Sequence, residues 1–267
     1  MENSLNFIDR FKNEIIGDKN RELFLTDFYN EIDKLFKKDL AYLKSKNNQD
    51  ALDFENLKYA VFYSNPLYTL KKADIYFIGI NPGGDVLTSY TKESLKDFLK
   101  PEMKTFLAYT KQNWNSDGTG KNKFQEEVIN ILTKIIKKFN LKKINLYDIF
   151  STNLYFYRSK GVKYMKVNRD FWLYHELFLD IIKPKIIICC GNSETFSPYK
   201  NIREYLNGKE EKPIRFNGTH SIKWFYSQKM EWNRNKILVL GLPHLSYWDD
   251  VRDQKFDKLL KKGIEKF

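Results

Sequence analysis

Four short apolar runs constrain the fold of this chain more than any other feature. Each run is continuous, rich in Ile, Val and Phe, and bounded by charged or turn-forming residues, which is typical of strands buried on both faces of a parallel sheet. They occupy Asp74–Ile80, Lys143–Phe150, Lys185–Cys190 and Lys236–Leu242. The sequence therefore predicts four buried strands.

Helical patterns fill the gaps between these runs. Apolar residues recur at helical spacing over 124–139, 171–182 and 256–264, and strands that alternate with amphipathic helices indicate an α/β fold. We expect a three-layer α/β/α sandwich with a central four-stranded, mainly parallel sheet. Apolar residues also alternate between 214 and 226 about Asn217-Gly218, which predicts a β-hairpin directly before the last strand.

The N-terminal part of the chain has a different character. An apolar stripe from Phe24 to Leu43 predicts a long charged helix, residues 46–50 resemble a linker, and a second helical run extends to about Tyr63. Too little apolar surface is left for a separate core. We therefore expect residues 1–65 to form a helical extension packed on the core, and residues 66–267 to form the α/β/α domain.

The charge of the chain favours a polyanionic partner. Lys and Arg number 46 against 34 Asp and Glu, which gives a formal net charge of +12. A basic chain of this kind is typical of proteins that bind nucleic acid, although Lys-rich usage in an AT-rich genome accounts for such an excess equally well. The charge thus supports nucleic acid binding without establishing it, and we expect a monomer.

Compartment and cofactor can also be predicted. No stretch approaches the roughly 18 to 20 apolar residues that span a bilayer, and the first seven residues lack the features of a signal peptide. The two cysteines, Cys189 and Cys190, are adjacent in an apolar run, so a disulfide framework is not expected. We expect a cytoplasmic protein without membrane contact. Because an iron–sulfur cluster needs four Cys ligands, we expect no such cofactor.

Three loop segments follow predicted strands and carry polar side chains. They are Gly79-Ile80-Asn81-Pro82-Gly83-Gly84, Ser151-Thr152-Asn153-Leu154 and Leu242-Pro243-His244-Leu245-Ser246. Loops at the carboxyl ends of neighbouring parallel strands meet at one edge of a sheet, so Asn81, Asn153 and His244 can form a single site. Each segment also has a structural interpretation: Asn-Pro-Gly-Gly is a good turn, and Asn153 can cap the segment that follows it.

In this order, the segments resemble the active-site motifs of the uracil-DNA glycosylase superfamily. The resemblance extends from Ala73 to the C-terminal helix and implies a DNA glycosylase that hydrolyses the N-glycosidic bond of a flipped-out base. It implies that Asn81 positions water and that His244 donates a hydrogen bond to the base O2. It also implies that Asn153 pairs with the base edge. The resemblance implies Asn81 and His244 as catalytic residues. It also implies that the N–H groups of Gly83 and Gly84 and the hydroxyl of Ser246 bind phosphates. The full set of implied substrate-binding residues is Gly79, Ile80, Pro82, Gly83, Gly84, Asn153, Leu245 and Ser246.

Three departures from the strict uracil enzymes bear on mechanism and substrate. Asn81 stands where those enzymes have Asp, and an amide can orient water but not act as a general base. Gly83 replaces a Tyr that blocks substituents at the pyrimidine 5-position. The expected substrate is therefore uracil or a 5-substituted pyrimidine, including the modified bases of phage DNA. A role in DNA repair and a role in phage defence both fit such a substrate. Leu245 replaces a Pro, and it either wedges into the duplex or packs against the last helix. With no Lys in the motifs, a Schiff base is not expected and the enzyme is monofunctional.

Two other classes of function compete with this interpretation. A non-catalytic module that binds damaged or modified DNA could use the same pocket. A nucleotide-binding α/β protein could use the Gly83-Gly84 turn, but the chain lacks the usual glycine-rich phosphate patterns. His175 and His220 are weaker candidates, because neither has partners at metal-ligand spacing. We expect His175 to be half-buried or on the surface, and we expect no metal.

Overall fold

The computed structural model describes residues 18–46, 49–71, 73–80, 95–159, 165, 167, 169–193, 197–209, 212–217, 222–247 and 250–266. These residues form a mixed α/β fold around a six-stranded, mostly parallel sheet with the strand order β2-β1-β3-β6-β5-β4. Strands β2, β1, β3 and β6 pair in parallel, whereas β5 and β4 are antiparallel to their neighbours. The strands are β1 Ile75–Gly79, β2 Phe150–Asn153, β3 Ile186–Cys190, β4 Ile214–Asn217, β5 Ile222–Trp232 and β6 Asn235–Leu242.

The longer helices at 18–45, 123–138, 172–182 and 250–266 agree with the amphipathic patterns, whereas the helix at Pro198–Tyr205 was not predicted. Single α-helical turns lie at Pro66–Thr69, Leu95–Phe98 and Ala108–Lys111, and 3-10 turns at Pro101–Thr105, Leu146–Asp148 and Leu245–Tyr247. Within the described ranges, no helix is long and apolar enough to cross a membrane. The longer helices are α1 Asp18–Ser45, α2 Gln49–Leu57, α3 Lys123–Lys138, α4 Trp172–Ile182, α5 Pro198–Tyr205 and α6 Asp250–Lys266.

Helix α3 shows why these segments are helical. Asn122 caps its first turn by accepting the Phe124 N–H, and the Gln125 side chain accepts the Asn122 N–H in return. This reciprocal pair satisfies two backbone donors that a helix start otherwise leaves without partners. The apolar stripe that contains Val128 and Ile131 is fully buried. The cap fixes where the helix begins, which matters below because Phe124 lines the candidate site.

Strands β1, β3 and β6 begin and end within one residue of the predicted runs. Every residue of β1 and β3 is buried, as expected for strands covered on both faces. The predicted number of four strands was wrong, because the antiparallel pair β4 and β5 joins the same sheet through β6. The turn between β5 and β6 consists of Asn233 and Arg234, both with positive φ (47° and 68°), which suits a tight hairpin.

The strand predicted over Lys143–Phe150 was also wrong in position. Asn145 and Asp148 form a reciprocal cap around a 3-10 turn at Leu146–Asp148. The Asn145 side chain accepts the Tyr147 N–H at 2.8 Å, so the first part of the apolar run is held in a turn. The strand begins only at Phe150 and ends at Asn153. As a result, Asn153 is the last strand residue and does not lie on a loop.

The second N-terminal helix ends earlier than predicted, at Leu57 rather than near Tyr63. Lys58 has a left-handed φ of 56°, and the chain then runs extended and antiparallel beside β2, with a bridge between Phe62 and Thr152. The Tyr63 N–H donates to the Ser151 carbonyl at 2.9 Å. The extended segment therefore continues the sheet edge and brings Tyr63 to the carboxyl end of β2.

Helix α1 shares its hydrophobic core with the sheet domain. The ring centroid of Phe28 lies 5.5 Å from that of Phe62 and 5.6 Å from that of Phe178 on α4. A partly buried ion pair adds a polar connection, because Arg169 Nε donates to Asp39 Oδ2 at 2.7 Å. Phe28 has no exposed surface. Removing α1 would thus uncover aromatic side chains that also support β2.

Candidate functional site

A cavity of about 180 Å³ lies at the carboxyl ends of the parallel strands. It is smaller than the roughly 300 to 1,000 Å³ of pockets that bury drug-sized ligands, so it suits a single heterocyclic ring. Position and size agree with the rule that open α/β sheets bind ligands at this edge. The residues that line it are Tyr63, Gly79, Ile80, Tyr109, Trp114, Phe124, Asn153, Cys190, His244 and Ser246.

Five of the site residues implied by the motifs line this cavity, namely Gly79, Ile80, Asn153, His244 and Ser246. Asn81, Pro82, Gly83 and Gly84 lie outside the described residues, as does His220. The strands that carry the two motifs were expected to be adjacent, but β3 lies between β1 and β6. The end of β3 therefore contributes Cys190 to the wall between them.

Asn153 is buried and closely packed against β1. It pairs with Gly79 in the parallel register, and its side chain is nearly enclosed, at 5% exposure. A Cβ atom at Gly79 would lie 2.2 Å from Asn153 Oδ1, which is far inside any normal contact distance. Glycine at position 79 is thus the residue that leaves room for this amide.

The amide nitrogen of Asn153 lacks a hydrogen-bond partner. Asn153 Nδ2 is buried, and among the described residues no acceptor meets the geometry of a hydrogen bond to it. The Tyr63 oxygen is near enough for the amide to oppose the rise in the Tyr63 pKa, but it does not complete a hydrogen bond. A buried donor without a partner is costly and rare in folded proteins, so each instance needs an explanation. A ligand that places an acceptor oxygen in the cavity would satisfy this donor.

Tyr63 lies beside Asn153 at the inner end of the cavity. Burial raises the pKa of Tyr63, and the nearby Arg158 guanidinium and the Asn153 side chain oppose the rise to a smaller extent. Because the pKa ends above the ordinary value of a tyrosine, the hydroxyl stays protonated at neutral pH. Tyr63 therefore offers a neutral hydroxyl and an aromatic face, but no charge.

Aromatic rings that the motifs did not indicate form the walls of the cavity. Tyr63 stacks on Tyr109 with centroids 5.8 Å apart, and Trp114 stacks on Phe124 at 6.1 Å. Phe124 in turn lies 5.3 Å from the His244 ring. The rings form a continuous aromatic wall from Tyr63 to His244, and such a wall favours a planar, unsaturated ligand.

Trp114 is held in this wall by a short, well-bonded loop. Its indole N–H donates to Gln112 Oε1 at 2.7 Å, and the Gly120 N–H donates to the Gln112 carbonyl at 2.9 Å. Gly118 and Gly120 have φ values of 106° and 69°, a region that favours glycine. A tryptophan in a loop rich in Asn and Gly was the available sequence signal for this wall.

His244 lies at the outer end of the cavity and is exposed. The Ser246 N–H donates to its Nδ1 at 3.3 Å. A neutral imidazole whose Nδ1 accepts a hydrogen bond carries its proton on Nε2. The loop geometry therefore favours the tautomer in which Nε2 is a donor.

The neighbouring residues Leu245 and Cys190 are buried. Leu245 has no exposed surface. It therefore packs in the core, whereas a residue that wedges into a duplex has to be exposed. Burial raises the pKa of Cys190 to about 12, against a smaller opposing contribution from the Leu245 backbone. Cys190 is therefore a neutral thiol, and it is a poor nucleophile because thiolate is the reactive form.

His175 was expected to be half-buried or on the surface, and this was wrong. It has no exposed surface, because its ring faces the β1–β2 side of the core from α4. Tyr76 Oη lies 2.8 Å from its Nδ1, and the Leu154 carbonyl lies 3.0 Å from its Nε2. Burial lowers its pKa to about 4, with Leu154 and Asp170 opposing the shift. Hydrogen-bond partners on both nitrogens make this histidine compatible with the core.

In the part of the chain that the structure describes, no cluster of three or more His, Cys, Asp or Glu side chains could hold a metal ion. The described lining residues also include no carboxylate and no Lys. The cavity instead presents amide and imidazole hydrogen-bond donors at its two ends and aromatic rings between them. This arrangement can bind a planar ring with an acceptor atom at each end.

Comparison of the sequence with protein-family models gives no match, and comparison with the curated proteins gives no significant similarity.

Proposed function

We propose that this protein is a monofunctional DNA glycosylase of the uracil-DNA glycosylase type. The observation that carries the proposal is that Asn153 and His244 line one base-sized cavity, and that the buried Nδ2 of Asn153 has no hydrogen-bond partner among the described residues. The order of the motifs in the sequence supports the same function. The finer architecture, a three-layer α/β/α sandwich, is part of this proposal.

The proposed reaction depends on stabilising the leaving base. Cleavage of an N-glycosidic bond leaves negative charge on the departing base and positive charge on the sugar. A hydrogen bond from His244 Nε2 to the base O2 strengthens as that charge develops, so it lowers the energy of the transition state more than that of the bound substrate. Asn81 orients the attacking water, because an amide cannot remove its proton.

The described lining residues are suited to leaving-group stabilisation. None of them carries a carboxylate, and the proposed mechanism uses the one imidazole among them, His244, as a donor to the leaving base. A base bound between the aromatic walls would displace water from the cavity, and hydrogen bonds to a developing charge are stronger where the surroundings are less polar. The proposed enzyme needs no cofactor for this chemistry.

The proposed substrate is uracil or a 5-substituted pyrimidine in DNA. Asn153 Nδ2 needs an acceptor, and the 4-oxo group of these bases supplies one where the 4-amino group of cytosine does not. Gly83 supports tolerance of a 5-substituent, and modified pyrimidines of phage DNA belong to this class. The net charge of +12 supports DNA as the polyanion that carries the base.

The second candidate is a module that binds a damaged or modified base without cleaving it. The exposure of His244 favours this alternative, because an exposed imidazole at the mouth is a weaker catalytic arrangement than an enclosed one. Both functions use the same cavity and the same contact with Asn153. They differ in whether the bond breaks.

A panel of oligonucleotides separates the two functions. The panel carries uracil, thymine opposite guanine, 5-hydroxymethyluracil, hydroxymethylated or glucosylated cytosine, and an alkylated purine, and alkali then cleaves any abasic site. We expect strand breaks with one or more of the 4-oxo pyrimidines. The matched control is His244→Ala, which should bind the same oligonucleotides and cleave them far more slowly. Tight binding to one oligonucleotide without any break would favour the binding module.

A further inference from the structure

A chain of buried hydrogen bonds runs behind Asn153, on the side of β2 that faces away from the cavity. Thr152 Oγ1 lies 2.9 Å from Tyr76 Oη, which lies 2.8 Å from His175 Nδ1. His175 Nε2 completes the chain at the Leu154 carbonyl, 3.0 Å away. We call these four residues the back-side network: Thr152, Tyr76, His175 and Leu154.

The chemistry of the groups fixes the direction of every bond in the chain. A carbonyl oxygen can only accept, so the proton of the neutral imidazole is on Nε2 and His175 donates to Leu154. Its Nδ1 must then accept, which makes the Tyr76 hydroxyl a donor to His175. The Tyr76 oxygen in turn accepts the hydroxyl proton of Thr152. Only one arrangement of hydrogen-bond donors and acceptors is possible in this network. Its atoms are therefore held more firmly than in a network whose hydroxyl groups can reverse their hydrogen bonds.

The network contacts β2 immediately before and immediately after Asn153. Thr152 contributes its side chain, and Leu154 contributes its backbone carbonyl. Side chains alternate across a strand, so Asn153 faces the cavity while Thr152 faces the network. The Asn153 amide occupies the space that a Cβ at Gly79 would take, and its Nδ2 has no hydrogen-bond partner among the described residues. Its orientation therefore depends on the backbone around it.

We propose that the back-side network is a positioning device that aims the Asn153 side chain into the cavity. The proposal rests on the proposed function for its role in catalysis, but its structural part is independent of it. His175 and Tyr76 touch no ligand and act only through the strand. They are positioning residues, and Asn153 is the residue that reads the base.

Substitutions of similar size remove one or two hydrogen bonds from the network and keep its packing. Thr152→Val deletes the first donor and Tyr76→Phe deletes the central hydroxyl, while Thr152→Ser retains the donor. The matched control is Tyr199→Phe, since Tyr199 is also buried and its hydroxyl donates to Gln228 at 3.5 Å. This control loses a buried tyrosine hydroxyl at a site remote from β2.

The side-chain amide of Asn153 gives a readout that needs no activity. In a ¹H–¹⁵N spectrum its signal pair is identified by its loss in Asn153→Ala. We expect Thr152→Val and Tyr76→Phe to shift or broaden this pair, and Thr152→Ser and Tyr199→Phe to leave it unchanged. If Tyr76→Phe does not fold, Thr152→Val decides alone. An unchanged pair in the network variants would overturn the proposal.

Excision supplies the functional arm of the test. Thr152→Val should reduce the preference for uracil over cytosine by about tenfold, the scale of one displaced hydrogen-bond contact. The effect should vanish in an Asn153→Ala background, because a residue that acts through Asn153 cannot act without it. Equal effects in both backgrounds would contradict a positioning role. Absence of excision by the parent protein would refute the proposed function and leave the spectroscopic result standing.

Discussion

Asn153 and His244 line the same cavity, but the first is buried and the second is exposed. The Asn153 side chain is enclosed by β1, Tyr63 and the strand that carries it. His244 has a weak 3.3 Å hydrogen bond from Ser246 and an aromatic contact with Phe124. Enclosed groups are preorganised, whereas the hydrogen bonds of exposed groups become stronger only when a ligand excludes water. Under the proposed function, this difference means that base recognition is built into the free protein and that the catalytic donor is completed on binding.

The largest expected effect concerns the exposed end. His244→Ala should lower the single-turnover rate of base release by on the order of 10² or more, because one preorganised donor to a developing anion is lost. DNA affinity should change little, since His244 contributes mainly in the transition state. Rapid-quench assays with excess protein measure the rate. A variant as fast as the parent would remove His244 from the mechanism.

The back-side network behind Asn153 should make the stability of the protein depend on pH, because it contains the buried His175. The pKa of His175 is lowered from 6.5 to about 4, so the unfolded chain binds more protons than the native protein between these values. Stability should therefore fall as the pH drops from 6.5 to 4, by up to about 3 kcal/mol from this group. Urea unfolding at several pH values measures the loss.

Two variants separate this effect from other titrations. His175→Gln cannot titrate, so its unfolding free energy should have a flatter dependence on pH in that window. Tyr199→Phe serves as the control, because it removes a buried hydroxyl and no group that titrates between pH 4 and 6.5, so it should keep the slope of the parent. A His175→Gln slope equal to that of the parent would show that His175 is not buried in its neutral form.

The aromatic wall between the two ends should contribute to affinity. Trp114→Ala should weaken binding of a uracil-containing oligonucleotide by about 1 to 3 kcal/mol, the usual contribution of one base stacked on an aromatic side chain. Trp232→Ala is a matched control, since Trp232 is also half-buried and its indole N–H donates to Asp180 at 2.7 Å. Fluorescence anisotropy measures both. Equal losses would assign Trp114 to general stability.

The smallest expected effect comes from crowding at Gly79. A Cβ there would lie 2.2 Å from Asn153 Oδ1, so Gly79→Ala should displace the amide and reduce discrimination between uracil and cytosine by about 1 kcal/mol. Gly263→Ala, where the nearest atom is 3.2 Å away on Leu238, tests crowding far from the cavity. Relative excision rates decide the outcome. Unchanged discrimination in Gly79→Ala would show that Asn153 is free to move.

The sequence predicted the parts of the fold that depend on local pattern. Strands β1, β3 and β6 follow continuous apolar runs, and their positions were right within one residue. The run before Phe150 was misplaced because the side chains of Asn145 and Asp148 hold it in a turn. The long strand β5 was predicted only as half of the hairpin with β4. Its second hairpin, with β6, was missed because the turn consists of Asn233 and Arg234 and lacks the usual glycine.

The candidate site divides in the same way. The meeting of Asn153 and His244 at one edge of the sheet could be predicted, because Asn153 ends one parallel strand and His244 follows another. The walls could not, because Tyr63 and Trp114 come from segments with no motif and reach the cavity only through tertiary packing. Tyr63 was placed in a helix, although Lys58 ends that helix with a left-handed φ of 56°. Motifs therefore predict which residues lie at the ends of the strands, whereas the residues that surround the cavity are determined by long-range packing.

The central claim is that the buried amide of Asn153 reads the base, and Asn153→Asp tests it most directly. This substitution keeps the size of the side chain and replaces the Nδ2 donor with an acceptor. The measurement is the ratio of single-turnover base release from otherwise identical oligonucleotides that carry uracil or cytosine. The parent should favour uracil, and Asn153→Asp should shift the ratio toward cytosine, whose amino group is a donor. A variant that is slower on both bases but keeps the ratio of the parent would contradict the account.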